Sequence, residues 1–172
     1  MLNLEELVLD KCRSLKDIPS SIGQLAKLTR LSMKECKSVT ELPESIGKCS
    51  QLVELSLLKC KELKQLPSSL GNLENLEDLD LGKCSSLETL PLSIGKLRRL
   101  SSLSIRDCNG LQDLPESVIG LTTLYRLDCK NCKNLRRLPA RFDSLSFLKD
   151  VDFSGCESLE QIPEVHQKQL YR

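Results

Sequence analysis

Apolar residues recur along this chain in a fixed order. Leu4, Leu7, Leu9, Cys12, Leu15, Ile18, Ile22 and Leu25 are followed by the same eight positions 24 residues later, and so on through seven repeats that start at Leu4, Leu28, Leu52, Leu76, Leu100, Leu124 and Leu148. Cysteine recurs at 12, 36, 60, 84, 108, 132 and 156, and the seven prolines recur at 19, 43, 67, 91, 115, 139 and 163. Nothing is inserted or deleted between Leu4 and Pro163, and the eight columns are broken by polar residues only at His166 and Gln169. A period of 24 falls within the range in which one supersecondary unit is stacked repeatedly into a solenoid.

Each repeat predicts one coil. Leu79 and Leu81 alternate with Asp78 and Asp80, the period of two expected for a strand with one buried face. Every strand meets its copy one repeat later running the same way, so the sheet is parallel, with coils about 4.8 Å apart. After the cysteine the chain turns out of the sheet. The residue before each proline is biased towards an extended conformation, and proline suits the first turn of a short helical or 3-10 segment. Ile22 and Leu25 then point inward from that segment. The fold class is therefore an α/β solenoid of seven 24-residue coils, with a parallel sheet on the concave face and short helical or 3-10 turns on the convex side.

The array is expected over residues 1–163, with a divergent tail over 164–172. The glycine column Gly23, Gly47, Gly71, Gly95 gives way to Ile119, Asp143 and Gln167. Met1-Leu2-Asn3-Leu4 aligns with Leu73-Glu74-Asn75-Leu76, so the chain begins inside the pattern. Repeat arrays need capping ends with a polar outer face. A fragment of a longer repeat protein is therefore expected, or end-to-end association through uncapped repeats.

Composition narrows the partners. With 25 basic and 24 acidic residues the net charge is +1, without the basic excess that nucleic-acid or membrane-surface binding uses. No apolar run approaches the ~20 residues of a membrane span. None of the six asparagines begins an N-glycosylation acceptor, and the nine cysteines are an odd number for a disulfide scaffold. The start MLNLEELVLDKC lacks the basic segment of a secretory signal. These features predict a reducing, cytoplasmic setting.

The cysteines invite a chemical reading. Cys129-Lys-Asn-Cys132 even has the CxxC spacing of zinc and redox sites. Yet Cys132 belongs to the recurring column, Cys129 replaces Leu81 or Ile105, and Cys49 replaces Leu25 or Leu73. All nine are predicted to point inward as small hydrophobes with a weak donor. Cys12, Cys36, Cys60, Cys84, Cys108, Cys132 and Cys156 thus form a structural ladder, with no metal and no cofactor expected. The lone histidine, His166, sits in the tail and gives no nucleophile–base pair, so no enzyme is expected.

Function is expected on the exposed strand face, because a solenoid presents an extended concave sheet. Its three outward columns carry Glu6, Arg30, Glu54, Asp78, Ser102, Arg126 and Asp150; then Val8, Ser32, Ser56, Asp80, Ser104, Asp128 and Asp152; then Asp10, Lys34, Leu58, Gly82, Arg106, Lys130 and Ser154. Candidate protein-binding residues are Arg30, Lys34, Glu54, Leu58, Asp78, Asp80, Arg106, Tyr125, Arg126, Asp128 and Lys130. Tyr and Arg are favoured interface anchors. A second, basic cluster is Lys133, Arg136, Arg137 and Arg141. It lacks the interleaved aromatics of a single-strand binder.

The unit LxxLxLxxCxxLxxLPxSIGxLxxL, clearest in CKSVTELPESIGKCSQL (36–52), CKELKQLPSSLGNLENL (60–76) and CSSLETLPLSIGKLRRL (84–100), resembles the leucine-rich-repeat regions of plant intracellular immune receptors. Those receptors join such repeats to a nucleotide-binding switch domain, often behind a TIR domain. The resemblance implies a ligand-sensing or autoinhibitory repeat region whose partner is a pathogen protein or the switch domain. No GxxxxGK[ST] loop occurs in this chain. An intracellular signalling scaffold, or an excised or engineered array without a retained partner, stays open.

Overall fold

A computed structural model of the chain describes residues 3–161. Pro163, the tail 164–172 and His166 lie outside the described residues. Seven three-residue strands form one parallel sheet in sequence order: β1 (Glu6–Val8), β2 (Arg30–Ser32), β3 (Glu54–Ser56), β4 (Asp78–Asp80), β5 (Ser102–Ser104), β6 (Arg126–Asp128) and β7 (Asp150–Asp152). The register never slips. Leu7 pairs with Leu31, Leu31 with Leu55, Leu55 with Leu79, Leu79 with Leu103, Leu103 with Leu127, and Leu127 with Val151. A one-residue slip would turn every buried leucine outward, so the apolar columns hold the register.

The ladder continues past the strands. Lys59 N–H donates to the Gly82 carbonyl at 2.7 Å, and Lys83 N–H to the Arg106 carbonyl at 2.7 Å. To aim those amides at the next coil, the residue before each ladder cysteine takes a left-handed backbone. Lys11, Glu35, Lys59, Lys83, Asp107 and Asn131 have φ between 57° and 63°, and Gly155 has φ 76°. A left-handed conformation disfavours residues with a Cβ, and here an intercoil hydrogen bond offsets that cost.

The return segments are 3-10 helices: η1 (Ser20–Gln24), η2 (Glu44–Lys48), η3 (Ser68–Asn72), η4 (Leu92–Lys96), η5 (Glu116–Gly120) and η6 (Phe142–Ser144). The prolines before η1–η5 do not lie within the first turn, as the sequence suggested. They sit one residue earlier, extended, with φ near −66° and ψ near 147° at Pro19. The fixed proline ring thereby ends the incoming extended segment, and its carbonyl accepts the first helical bond, as from Ile22 N–H to Pro19 at 3.0 Å.

Close stacking explains the glycine column. A Cβ on Gly71 would lie 2.6 Å from the Ser93 carbonyl oxygen, so the 3-10 segments of neighbouring coils could not approach with a larger residue there. In the fifth coil Ile119 occupies that place and Gly120 meets the Gly95 backbone instead. In the sixth, Arg141 and Asp143 replace the Ser-x-Gly pair and η6 shrinks to three residues. There Phe142 packs on Phe153 with ring centroids 5.9 Å apart.

One continuous core runs through the stack, from Ile18 and Ile22 to Val151 and Phe153. The cysteine ladder belongs to it with one exception. Cys36, Cys60, Cys84, Cys108 and Cys132 are buried, as are Cys49 and Cys129, Cys156 is half-buried, and Cys12 is exposed. Cys12 lies on the uncovered side of the first described coil. Its coil packs against a neighbour on one side only, which also leaves Leu4, Leu7, Leu9, Leu15 and Leu25 partly buried. No helix among the described residues is long and apolar enough to cross a membrane.

Candidate functional site: the concave sheet face

The outward side chains of β2, β3 and β4 frame a shallow depression lined by Arg30, Lys34, Glu54, Ser56, Asp78 and Asp80, with Leu31 and Leu55 at its floor. Five residues singled out from the sequence thus converge. In-register stacking brings them together, because Arg30, Glu54 and Asp78 are consecutive rungs of one column.

Charges in that column mostly alternate and pair. Arg30 bonds Glu6 at 3.0 Å and Glu54 at 3.2 Å, and Arg126 meets Asp150 at 3.4 Å. The exception is Glu54 beside Asp78, two acids on adjacent rungs. Desolvation pushes the Asp78 carboxyl up, and the like charges of Asp80 and Glu54 push it further, against the opposing pull of Arg126 and Lys34. At the mouth of the first coil Asp10 behaves oppositely. Desolvation works against its charge, but the Ser32 hydroxyl (2.6 Å) and the Lys34 amide (2.9 Å) hold the carboxyl below its ordinary value.

The second column contains a device that the sequence reading missed. Asp80 accepts the Gly82 amide at 3.0 Å, Asp128 the Lys130 amide at 3.1 Å, and Asp152 the Ser154 amide at 2.8 Å. An Asp two residues before an exposed amide closes a side-chain turn on its own backbone. Asp80 and Asp128 therefore shape the strand end as well as face outward. Asp80 also accepts the Ser56 hydroxyl at 3.3 Å.

In the third column Leu58 and Arg106 close over Gly82. A Cβ there would be 3.0 Å from Leu58 Cδ1 and 3.1 Å from Arg106 Cγ. Leu58 is half-buried by this arrangement rather than isolated. Tyr125 lies one residue before β6 and is 56% exposed, while its carbonyl accepts the Lys149 and Asp150 amides. It borders the face that Arg126, Asp128 and Lys130 occupy.

Two of the four members of the basic cluster are tied to acids: Arg137 bonds Asp113 at 2.9 and 2.7 Å, and Lys133 meets Glu157 at 3.4 Å. Two exposed apolar residues escaped the sequence reading, Leu92 at the start of η4 and Phe147 before β7. The Phe147 column holds polar residues in the other coils, and the Leu92 column holds Ser or Glu in coils 1, 2, 3 and 5 and Ala140 in coil 6, a departure visible on alignment of the repeats.

The thiols of the ladder rungs from the second coil onward are spoken for. Cys36, Cys60, Cys84, Cys108, Cys132 and Cys156 each donate to a backbone carbonyl of the preceding coil at 2.9–3.2 Å. Burial pushes the Cys60 and Cys108 thiols up to about 12. Among the described residues no group of three or more His, Cys, Asp or Glu side chains is placed to hold a metal ion.

Comparisons with known proteins agree with this architecture. Curated protein sequences gave no match. Among solved structures, a leucine-rich-repeat protein of Leptospira interrogans is 27% identical with a TM-score of 0.60, covering 82% of this chain and 41% of that one. The leucine-rich repeat domain of the type III effector XopL is 26% identical (TM-score 0.66, covering 95% of this chain and 65% of that one). The Arabidopsis receptor kinase HAESA, solved with the peptide hormone IDA and the co-receptor SERK1, is 28% identical (TM-score 0.61, covering 81% and 24%). The chain spans less than two thirds of each of these. Residues 1–90 match the family model described as "Disease resistance protein RPS4B-like, leucine-rich repeats". That match takes in more than half of the 172 residues, and the chain belongs to this family of leucine-rich repeats.

Proposed function

We propose that this chain is a non-enzymatic protein-recognition module, the ligand-sensing or autoinhibitory repeat region of a plant intracellular immune receptor working in the cytoplasm. One observation carries the reading: on a frame whose buried columns hardly vary, three outward columns of one sheet face change in charge and size from coil to coil. Such a face gives specificity by side-chain complementarity and needs no chemistry. The family description adds the disease-resistance context, and HAESA, a structural relative, was solved with a peptide hormone and a co-receptor. The partner on this reading is a pathogen protein or a nucleotide-binding switch domain.

The test is site-specific crosslinking in plant cells. A photoreactive phenylalanine at Ser102, on the concave face, should capture a defined protein that the same group at Leu92, on η4, does not. The recombinant partner should then bind the parent chain and lose affinity for the Tyr125→Ala/Arg126→Ala double variant. Identical capture from both positions, or undiminished binding by the double variant, overturns the reading.

A further inference from the structure

Two aromatic side chains stand in solvent where the chain enters β6 and β7. Phe142 and Phe153 are buried against each other, but the other two aromatics among the described residues, Tyr125 and Phe147, are 56% and 63% exposed. Tyr125 follows the buried Leu124, and Phe147 precedes the buried Leu148. The Tyr125 carbonyl accepts the Lys149 amide at 2.9 Å. Phe147 therefore lies one coil and two residues from Tyr125, about 8 Å along the same edge of the solenoid. Elsewhere the Phe147 column is polar, and the Tyr125 column is polar except at Val53.

This edge also has a charge of its own. The nine positions two before, one before and one after Leu100, Leu124 and Leu148 hold three cations, two aromatics, four hydroxyl residues and no acid. Arg98 enters no ion pair among the described residues. Arg99 bonds only the neutral side-chain carbonyl of Asn75, at 2.8 Å, which leaves its charge uncompensated. The Ser101 and Thr123 hydroxyls donate to backbone carbonyls of the preceding coil at 3.1 and 2.7 Å, so rings and guanidinium groups carry the free surface. The nearest acids are Glu74 and Glu77 one coil earlier, and Asp150 on the concave side, which is tied to Arg126 at 3.4 Å.

We propose that this edge anchors a partner protein through an extended acidic segment. An apolar side chain of the segment lies across Tyr125 and Phe147, and an Asp or Glu near it pairs with Arg98 or Arg99. Aromatic residues and Arg are the types that interfaces concentrate, and charge complementarity selects the acid. Arg99, Thr123 and Phe147 are consecutive rungs of one column. Arg99 thus stands two intercoil steps, about 10 Å, from Phe147, and an extended chain rises about 3.3 Å per residue, so acid and anchor lie within about three residues. A nucleic-acid strand is disfavoured, because its phosphates would run on into Glu74 and Glu77 or into Asp128, Asp150 and Asp152. This inference rests on the recognition reading above and places the partner's anchor at the border of the concave face.

The experiment is selection of random linear peptides displayed on phage against the folded chain. The expected consensus is an aromatic or branched aliphatic residue with Asp or Glu within about three positions. Selected peptides should bind Phe147→Ser and Arg98→Ser/Arg99→Ser about tenfold or more weakly, a loss of one decade in Kd, and should bind Leu92→Ser as they bind the parent. Circular dichroism establishes that each variant is folded. Peptides that keep their affinity for the edge variants and lose it for Arg106→Ser/Lys130→Ser overturn the edge site and leave the recognition reading standing. Peptides without an acid, or no enrichment on the folded parent, also overturn the edge site. Retention of single-stranded polyuridylate by the parent and not by Phe147→Ser would assign the edge to nucleic acid and overturn the proposal.

Discussion

The Cys84 thiol donates to the Leu57 carbonyl at 3.2 Å, and that same oxygen accepts the Cys60 backbone amide at 3.0 Å. One carbonyl is thereby shared by the turn of its own coil and the side chain of the next. Cysteine suits the place because it is small enough for the stack and still offers a weak donor. Cys84→Ala should cost about 1–2 kcal/mol, from lost packing and a lost bond, with the oxygen still held by Cys60 N–H. Cys12→Ala, at the exposed rung, should cost almost nothing. Urea unfolding of the two variants checks this, and equal losses would show that the ladder contributes nothing through its intercoil bond.

Thiol reactivity should follow burial. Cys12 is expected to react with a thiol reagent in the native state, Cys156 more slowly, and the buried rungs only after unfolding. Stability also acquires an alkaline edge. The Cys60 and Cys108 thiols are held up at about 12 when folded, and near 8.5 when unfolded. The unfolded chain therefore releases these protons first. The stabilisation is complete below the unfolded value and is lost as pH rises through the window towards the folded one. Cys60→Ala should flatten the pH dependence above about 9 relative to the parent. Parallel curves would contradict it.

Two neighbouring substitutions should move stability in opposite directions. Gly71→Ala drives a methyl into the Ser93 carbonyl and should cost about 2–3 kcal/mol. The Ser93 hydroxyl is buried and has no hydrogen-bond partner among the described residues. Ser93→Ala removes an unpaired polar group and should be neutral or stabilising by up to about 1 kcal/mol. Thermal melts distinguish them, and a destabilised Ser93→Ala would mean that its hydroxyl is satisfied.

Asp78 offers a stability measurement at the candidate site. Its carboxyl is raised by desolvation and by its acidic neighbours, so the charged form is the penalised one. The native state is favoured while Asp78 is protonated, and that advantage disappears as pH rises through its folded value. Asp78→Asn should stabilise the free chain at neutral pH by less than about 1 kcal/mol after solvent screening, with the gain vanishing in acid below the ordinary carboxylate range. A site shaped for a partner trades stability for binding in this way, so the same variant should bind the partner less well.

Strand positions, parallel pairing and the buried columns were all legible from a period that never slips, because one coil dictates the next. Features written between coils were hidden. The Glu44 carboxylate accepts the Ser69 amide at 2.9 Å and the Ser68 amide at 3.1 Å, capping the 3-10 segment one coil on. Nothing local to Glu44 announces that role. The left-handed turns were equally silent, since Lys59 and Lys83 are not the residues usually found at positive φ. At the candidate site, the outward columns could be read, but not the depression between β2 and β4 or the closure of Leu58 over Gly82. Those depend on how side chains lean across rungs.

The unslipping register has a consequence for how such a molecule can change. Because Arg30, Glu54 and Asp78 share one column, join the ladder through backbone amides that any residue but proline supplies, and leave burial to the apolar columns, the face works as a grid whose cells can be rewritten one at a time. Exchanging the outward residues of two coils permutes the message and leaves the page intact. Deleting one whole coil brings the next into its place with the backbone ladder re-formed, shifting the remaining letters by about 4.8 Å. Novelty in this chain can therefore arise by shuffling as readily as by substitution.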